Sequence, residues 1–167
     1  IIIHTGDGKG KTTAALGTVF RALGHDQKVC VIQFIKGQGK YGERVFAERL
    51  DNLDWHICGK GFVFNKEQLD EDRKVAKEGF ALAADIIASD RYDLVVLDEL
   101  TYLPVLDFLP VEKIVETLRA KPERLSIIIT GRKVPKELVE IADTVSDITV
   151  VKHAFQQGIK AQKGVEF

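Results

Sequence analysis

The stretch Thr5-Gly6-Asp7-Gly8-Lys9-Gly10-Lys11-Thr12-Thr13 follows the apolar run Ile1–Ile3 and opens a helical pattern reaching to about Gly24. Its alternate glycines, Gly6, Gly8 and Gly10, allow backbone N–H groups to turn inward around an anion. Lys11 adds a fixed positive charge, and Thr12 offers a hydroxyl to Mg²⁺. The helix starting here points the positive end of its dipole at the same spot. An ordinary glycine-rich turn is the competing reading, and the order strand, loop, helix weighs against it. One departure is that Thr5 stands where such loops usually carry their first glycine. The residues expected to bind a nucleoside triphosphate are Gly6, Asp7, Gly8, Lys9, Gly10, Lys11, Thr12 and Thr13.

Outward from this loop, the chain alternates two kinds of pattern. Short β-branched runs lie at Ile1–Thr5, Lys28–Ile35, Trp55–Cys58, Leu94–Asp98, Ser126–Thr130 and Asp147–Val151. Helical patterns occupy Lys11–Gly24, about Gly42–Leu50, about Glu67–Ser89, Val111–Ala120 and Pro135–Ala142. Runs such as Leu94-Val95-Val96-Leu97 and Ile127-Ile128-Ile129 are apolar on both faces, which suits central parallel strands covered by helices. The expected fold class is α/β with a mostly parallel central sheet and helices on both faces. In such folds ligands gather at the carboxyl ends of the strands. That rule selects Thr5–Thr13, Lys36–Lys40, Asp98–Thr101, Thr130–Arg132 and Lys152–Phe155 as one surface.

Composition narrows the function classes. At 167 residues the chain is expected to form one domain, 1–167, with a sizeable core. A net charge of −1 supplies no global basic field to draw it onto nucleic acid or an anionic membrane. Cys30 and Cys58 stand singly in apolar contexts and read as reduced thiols of a cytoplasmic protein, ahead of a disulfide or ligand role. No apolar run is long enough for a membrane span. With Ile at position 1 and no methionine anywhere, the natural protein is expected to carry an N-terminal extension ahead of this sequence.

Leu94–Leu97 ends in Asp98-Glu99, the usual partner of a phosphate loop. There the carboxylates complete the hard oxygen shell of a Mg²⁺ that Thr12 begins, so Thr12, Asp98 and Glu99 are the metal candidates. Helix capping is the plain alternative for two adjacent acids. On this motif alone ATP hydrolysis leads, since a Glu after the Asp polarises water in many ATPases. Arg132, after another buried strand, is placed to neutralise developing charge, or is a surface residue after a turn. Arg21 is a nucleotide contact or a solvated helix residue with equal weight. Phe62 and Phe64 in Gly59–Phe64 are either buried against the next helix or an apolar wall for a large flat ligand. The basic tail from Val151 to Gly164 reads as a lid over the phosphate site or as a frayed terminus. Within it, His153 contacts nucleotide, caps a helix or packs in the core.

Taken together, these segments resemble the ATP:corrinoid adenosyltransferases, nearly end to end. The resemblance rests on the loop Thr5–Ala15, Arg21-Ala22-Leu23-Gly24, Val31–Gly37, Val96–Tyr102, Ile129–Arg132, Val151–Phe155 and the ending Gly158–Gly164. The ending weighs most, because ordinary phosphate-loop ATPases lack it, and a Thr at the first loop position is also what the family shows. One region departs. Family members often read Gly-Phe-Thr-Trp-Glu-Thr-Gln where this chain has Gly61-Phe62-Val63-Phe64-Asn65-Lys66-Glu67.

The resemblance implies a phosphate-loop NTPase (RecA-like) architecture and transfer of the 5′-deoxyadenosyl group of ATP to cobalt(I) of a reduced corrinoid, releasing inorganic triphosphate. It implies Mg²⁺ or Mn²⁺ with the ATP, and a homodimer supplied with electrons by a flavin-type reductant protein. Nucleic acid and membrane are not expected partners. Catalytic weight falls on Lys11, Thr12, Glu99, Phe62 and Phe64, with Arg21, Arg132 and His153 joining the loop around ATP. Phe62 and Phe64 would exclude an axial ligand from cobalt and so ease its reduction. Two alternatives stand beside this reading. One is a generic phosphate-loop ATPase or small-molecule kinase using Asp98-Glu99, and the other is a nucleotide-dependent single-strand-binding module.

Overall fold

The structure is a computed structural model that describes residues 1–35, 37, 39, 41–59, 61 and 69–166. Its described strands are β1 (Ile2–Thr5), β2 (Val29–Gln33), β3 (Leu53–Ile57), β4 (Leu94–Asp98), β5 (Ser126–Thr130) and β6 (Thr144–Asp147). The helices are α1 (Lys11–Leu23), α2 (Gly42–Ala47), α3 (Leu69–Ala88), α4 (Tyr102–Val105), α5 (Val111–Arg119) and α6 (Lys136–Ile141), followed by a 3-10 turn at Ala154–Gln157. The strands form one sheet in the order β3-β2-β4-β5-β1-β6, and every pairing is parallel. All carboxyl ends therefore open on the same side, as the α/β reading requires.

Strand alternation sorts the core into two layers. Val29, Val31, Leu94, Val96 and Ile128 face one way, where Ala15, Val19 and Ala22 of α1 and Ala47 of α2 cover them. Cys30, Ile32, Val95, Leu97, Ile127 and Ile129 face the other way, against Ala76, Phe80 and Ala83 of α3, Ile114 of α5 and Leu138 of α6. Burying each of these large aliphatic side chains contributes about 1.5–3 kcal/mol, so both faces must be covered for the sheet to persist. β2 and β4 are buried along their whole length, which accounts for sequences apolar on both faces.

The topology also places the crevice. From β1, α1 carries the chain to β2 on one face, while α6 carries it from β5 to β6 on the other. Strand order reverses around β1, and the loops leaving β1 and β5 part there.

The last strand differs from the reading Asp147–Val151. It runs Thr144–Asp147, pairing Ile2 with Thr144 and Thr5 with Asp147. The physical reason is the length of its partner: β1 ends at Thr5, where the chain turns into the glycine loop. Only Ile148 continues the pairing, donating its N–H to Thr5 O at 2.9 Å. The apolar pattern of 148–151 thus has no strand beside it. β3 also begins earlier than expected, at Leu53, which packs under α2's layer. The one-turn helix α4 was not expected, because Pro104 sits inside it. Among the described residues, no helix is long and apolar enough to cross a membrane.

Candidate functional site

A cleft of about 600 Å³ opens at the carboxyl ends of β1, β4 and β5, a size typical of small-molecule sites. Residues 7–13 of the glycine loop form its floor; Glu99, Tyr102 and residues 130–132 form one wall. Gly42 and Glu43 approach from α2, and His153 with residues 164–166 approaches from the tail.

The loop is built by close approaches. Gly10, at φ 116°, is the left-handed N-cap of α1, so the helix begins directly on the cleft. Gly6, at φ 97°, leaves room where a Cβ would lie 2.1 Å from Asp147 Oδ1. At Gly8 a Cβ would lie 2.5 Å from Ile148 O, and the Gly8 N–H donates to that same carbonyl at 2.6 Å. Two of the glycines are therefore required by the chain beyond β6 as well as by an anion. The Gly8 N–H, expected to turn toward a phosphate, is committed to Ile148.

Lys11 Nζ donates to Gly6 O at 2.7 Å and Gly8 O at 2.6 Å. Burial lowers the Lys11 pKa from the usual lysine value; the nearby Arg132 adds to this, while Asp7, Glu99 and Asp147 oppose it. Lys9 pairs with Glu166 of the tail at 2.5 Å, and Arg132 lies 3.7 Å from Asp7.

Asp98 sits on the α1 face of the sheet because it shares strand parity with Leu94 and Val96. It is wholly buried. Thr12, at the first turn of α1, donates its hydroxyl to Asp98 Oδ1 at 2.8 Å, and Thr130 at the end of β5 donates to the same oxygen at 2.6 Å. Gln33 Nε2 reaches Asp98 Oδ2 at 2.9 Å from β2. These contacts join the glycine loop to the acidic strand, as the two motifs suggested.

Glu99 adopts φ 63°, a left-handed conformation that costs a non-glycine residue about 1–2 kcal/mol. Its N–H donates to Thr130 Oγ1 at 2.9 Å, which holds the bend and puts Glu99 on the cleft wall. Next to it, Gly131 at φ 149° makes room for Thr101, whose hydroxyl donates to Arg132 O at 2.7 Å. That bond ties the two loops and directs Arg132 to the cleft. Burial raises the Tyr102 pKa.

Of the residues expected from sequence, the structure brings Asp7, Gly8, Lys9, Gly10, Lys11, Thr12, Thr13, Glu99, Arg132 and His153 to this cleft. Asp98 lies beneath it. His153 also caps the 3-10 turn, its Nδ1 accepting from the Phe155 N–H at 3.1 Å. Arg21 is different: it is exposed in the last turn of α1 and is not on the cleft wall. A helix rising about 1.5 Å per residue carries it well away from the loop. Phe62 and Phe64 lie outside the described residues, as do Lys36 and Lys40 of the loop after β2. Cys30 and Cys58 are both free thiols, and burial pushes Cys30 up to about 12.

Sequence reasoning gave no site role to Gln33, Tyr102 or residues 165–166, while Thr130 and Gly164 fell within segments it had assigned to the ligand surface and to the lid. Gln33 and Thr130 did leave a signal. Each closes the apolar run of its strand with a polar residue, in step with Asp98 on β4.

Comparison with known proteins decides which family the chain belongs to. The sequence model of the family described as ATP:corrinoid adenosyltransferase BtuR/CobO/CobP matches residues 1–167. The chain belongs to the ATP:corrinoid adenosyltransferase family. It is similar to the corrinoid adenosyltransferase of Escherichia coli K12, 43% identical over all of this chain and 85% of that protein. It is likewise 41% identical to the corrinoid adenosyltransferase CobA of Salmonella typhimurium, again over the whole chain and 85% of that protein. The corrinoid adenosyltransferase of Pseudomonas aeruginosa is 40% identical, over the whole chain and 83% of that protein. As an ATP:corrinoid adenosyltransferase, this chain is an enzyme that moves the adenosyl group of ATP to a corrinoid. The generic ATPase or kinase reading is not favoured.

Proposed function

We propose that the cleft holds ATP so that its triphosphate departs whole while C5′ of the ribose faces the corrinoid. Cobalt(I) is the nucleophile: its electron pair forms the Co–C5′ bond, and the C5′–O bond breaks with its electrons going to triphosphate. Cobalt ends formally as cobalt(III), and no proton need move. The site therefore needs no general base. It needs alignment of cobalt, C5′ and the leaving oxygen, and positive charge where the leaving group gains negative charge. The observation that carries this reading is the meeting of Lys9, Lys11, Thr12 and Arg132 on one cleft, with Asp98 hydrogen-bonded to Thr12 beneath it.

The donor set fits Mg²⁺. Thr12 Oγ1 and the Asp98 carboxylate are hard oxygens 2.8 Å apart, with Glu99 on the adjoining wall. An ion that keeps waters and phosphate oxygens in its shell needs one or two such protein groups. When bound, Mg²⁺ would neutralise charge on the triphosphate. Thr12 gives its proton to Asp98, so its lone pairs remain for a cation. Lys11, held by the Gly6 and Gly8 carbonyls, keeps a third N–H for a phosphate oxygen.

The remaining parts of the proposal rest on composition and on likeness to the family. They are a single domain, a homodimer, electrons from a flavin-type reductant protein, and a cytoplasmic location in which Cys30 and Cys58 stay as thiols. Phe62 and Phe64 are proposed to shield the lower face of cobalt. Phe62→Asp should then depress turnover from cobalt(II) while sparing turnover from pre-reduced cobalt(I), and equal loss in both assays would refute that role.

Product analysis tests the main reading. Incubation with ATP, Mg²⁺ and a chemically reduced corrinoid should yield one triphosphate per photolabile adenosyl-corrinoid. Release of ADP and phosphate in proportion to corrinoid consumed would overturn it.

A further inference from the structure

Gln33, Asp98 and Thr130 form a polar row on the α1 face of the sheet, where the residues two back on each strand, Val31, Val96 and Ile128, are apolar, and Trp55, level with Val31, reaches the row from β3. Trp55 on β3 donates its indole N–H to Gln33 Oε1 at 3.1 Å, and Gln33 Nε2 donates to Asp98 Oδ2 at 2.9 Å. Thr12 and Thr130 take the other oxygen of the same carboxylate. Gln33 and Asp98 are 1% and 0% exposed, so each polar atom here must be satisfied by its neighbours.

The chemistry of the donors gives the row a direction. An indole nitrogen only donates, so it forces the Gln33 amide oxygen toward itself and the amide nitrogen toward Asp98. That nitrogen anchors Oδ2 in the sheet. Oδ1 is then the oxygen that faces Thr12 and the floor of the cleft. The carboxylate, which only accepts, excludes the flipped amide as well, so the indole and Asp98 fix the same orientation from opposite ends and Trp55 holds the amide in place.

We propose that Gln33, oriented by Trp55, is a positioning residue that fixes the Asp98 carboxylate for the nucleotide-bound cation, and that Trp55 reports the state of that cation. The inference rests on the placement of the cation at Thr12 and Asp98 proposed above. It comes with a built-in probe, because Trp55 is the single tryptophan of the chain.

The test follows Trp55 emission and ATP affinity by equilibrium dialysis, with ATP plus Mg²⁺ and with ATP in EDTA. In the unaltered protein, emission should change with Mg²⁺ and ATP but not with ATP in EDTA. Gln33→Met should abolish that change and weaken Mg²⁺-dependent ATP binding about 10-fold, the effect of losing a hydrogen bond that orients a metal ligand. Binding in EDTA and the KM for corrinoid should stay within about two-fold, since a positioning group touches neither. Trp55→Phe keeps the ring and removes the N–H. It should weaken Mg²⁺-dependent binding about 3-fold by dialysis, which keeps the question open to test if Gln33→Met does not fold.

Equal losses with and without Mg²⁺, or no loss in either folded variant, would overturn the proposal. Asp98→Asn separates the two levels. If it loses the Mg²⁺-dependent part of binding while Gln33→Met does not, only the positioning role fails. If Asp98→Asn keeps that part, the cation placement falls and the positioning role with it.

Discussion

Thr130 Oγ1 accepts from the Glu99 N–H and donates to Asp98, so one hydroxyl holds both a strained backbone and a buried carboxylate. Thr130→Val keeps the shape and removes both bonds. It should cost about 1–3 kcal/mol in urea unfolding, because two buried polar partners lose their match. Activity should fall further than stability explains, because Glu99 is released from its place on the wall. At the other end of the same row of residues, His4 pairs in register with Thr130, and its buried Nδ1 has no hydrogen-bond partner among the described residues. Burial lowers its pKa below 6.5. As pH falls, the unfolded chain binds this proton before the folded one does. Stability is therefore intact above about pH 6.5 and is lost as pH drops from there through the folded-state pKa. His4→Gln should flatten this acid limb, measured as unfolding free energy against pH between about 7.5 and 5. An unchanged slope would show that His4 takes no part.

At the scale of elements, the glycine loop and the chain beyond β6 meet backbone to backbone with no room for a side chain between them. Gly8→Ala would put a methyl 2.5 Å from Ile148 O and 2.7 Å from Thr149 O, both rigid backbone atoms. The loop must shift to accept it, moving Lys11 away from the Gly8 carbonyl that now fixes it. A displacement near 1 Å can cost about 100-fold in rate. Gly8→Ala is thus expected to lower kcat by that order while the sheet, measured by far-ultraviolet circular dichroism, stays intact. Gly10→Ala is the useful contrast: its Cβ would meet nothing within 4 Å, but φ 116° is a conformation that alanine resists. It should lower stability by about 1 kcal/mol or more, with the main loss in the thermal midpoint.

Across the whole molecule, the tail returns from β6 to the loop after β1. Glu166 pairs with Lys9 at 2.5 Å with side chains 26% and 48% exposed, in the range where an ion pair contributes about 0–1 kcal/mol. It occupies a cation proposed to receive triphosphate. Glu166→Gln should therefore tighten ATP binding up to about 3-fold at low salt, with the difference vanishing at high salt. Weaker ATP binding by Glu166→Gln at low salt would mean instead that the carboxylate helps to close the cleft. ATP titrations at two ionic strengths distinguish the signs.

Much of this was legible locally. The glycine loop carries its chemistry within nine residues, and the runs around Val95 and Ile128 announce strands covered on both faces because every side chain there must leave water. Asp98 was legible as well, since an acid that closes an apolar strand has few reasons to be there. What stayed hidden depends on partners far along the chain. Thr12 meets Asp98 across 86 residues, and Gln33 meets it across 65, distances that no local pattern encodes. Strand order placed β2 beside β4 and thereby made Gln33 an orienting group, although by itself it is only a polar residue at a strand end. The short length of β1 likewise ended β6 at Asp147 and sent the apolar residues after it elsewhere. The sequence determined which segments fold and where phosphate chemistry begins, because periodicity and glycine content act within a few residues. Only the tertiary structure decided which buried polar groups share hydrogen bonds and how the tail meets the loop, because those bonds exist only once the parallel sheet has aligned its carboxyl ends.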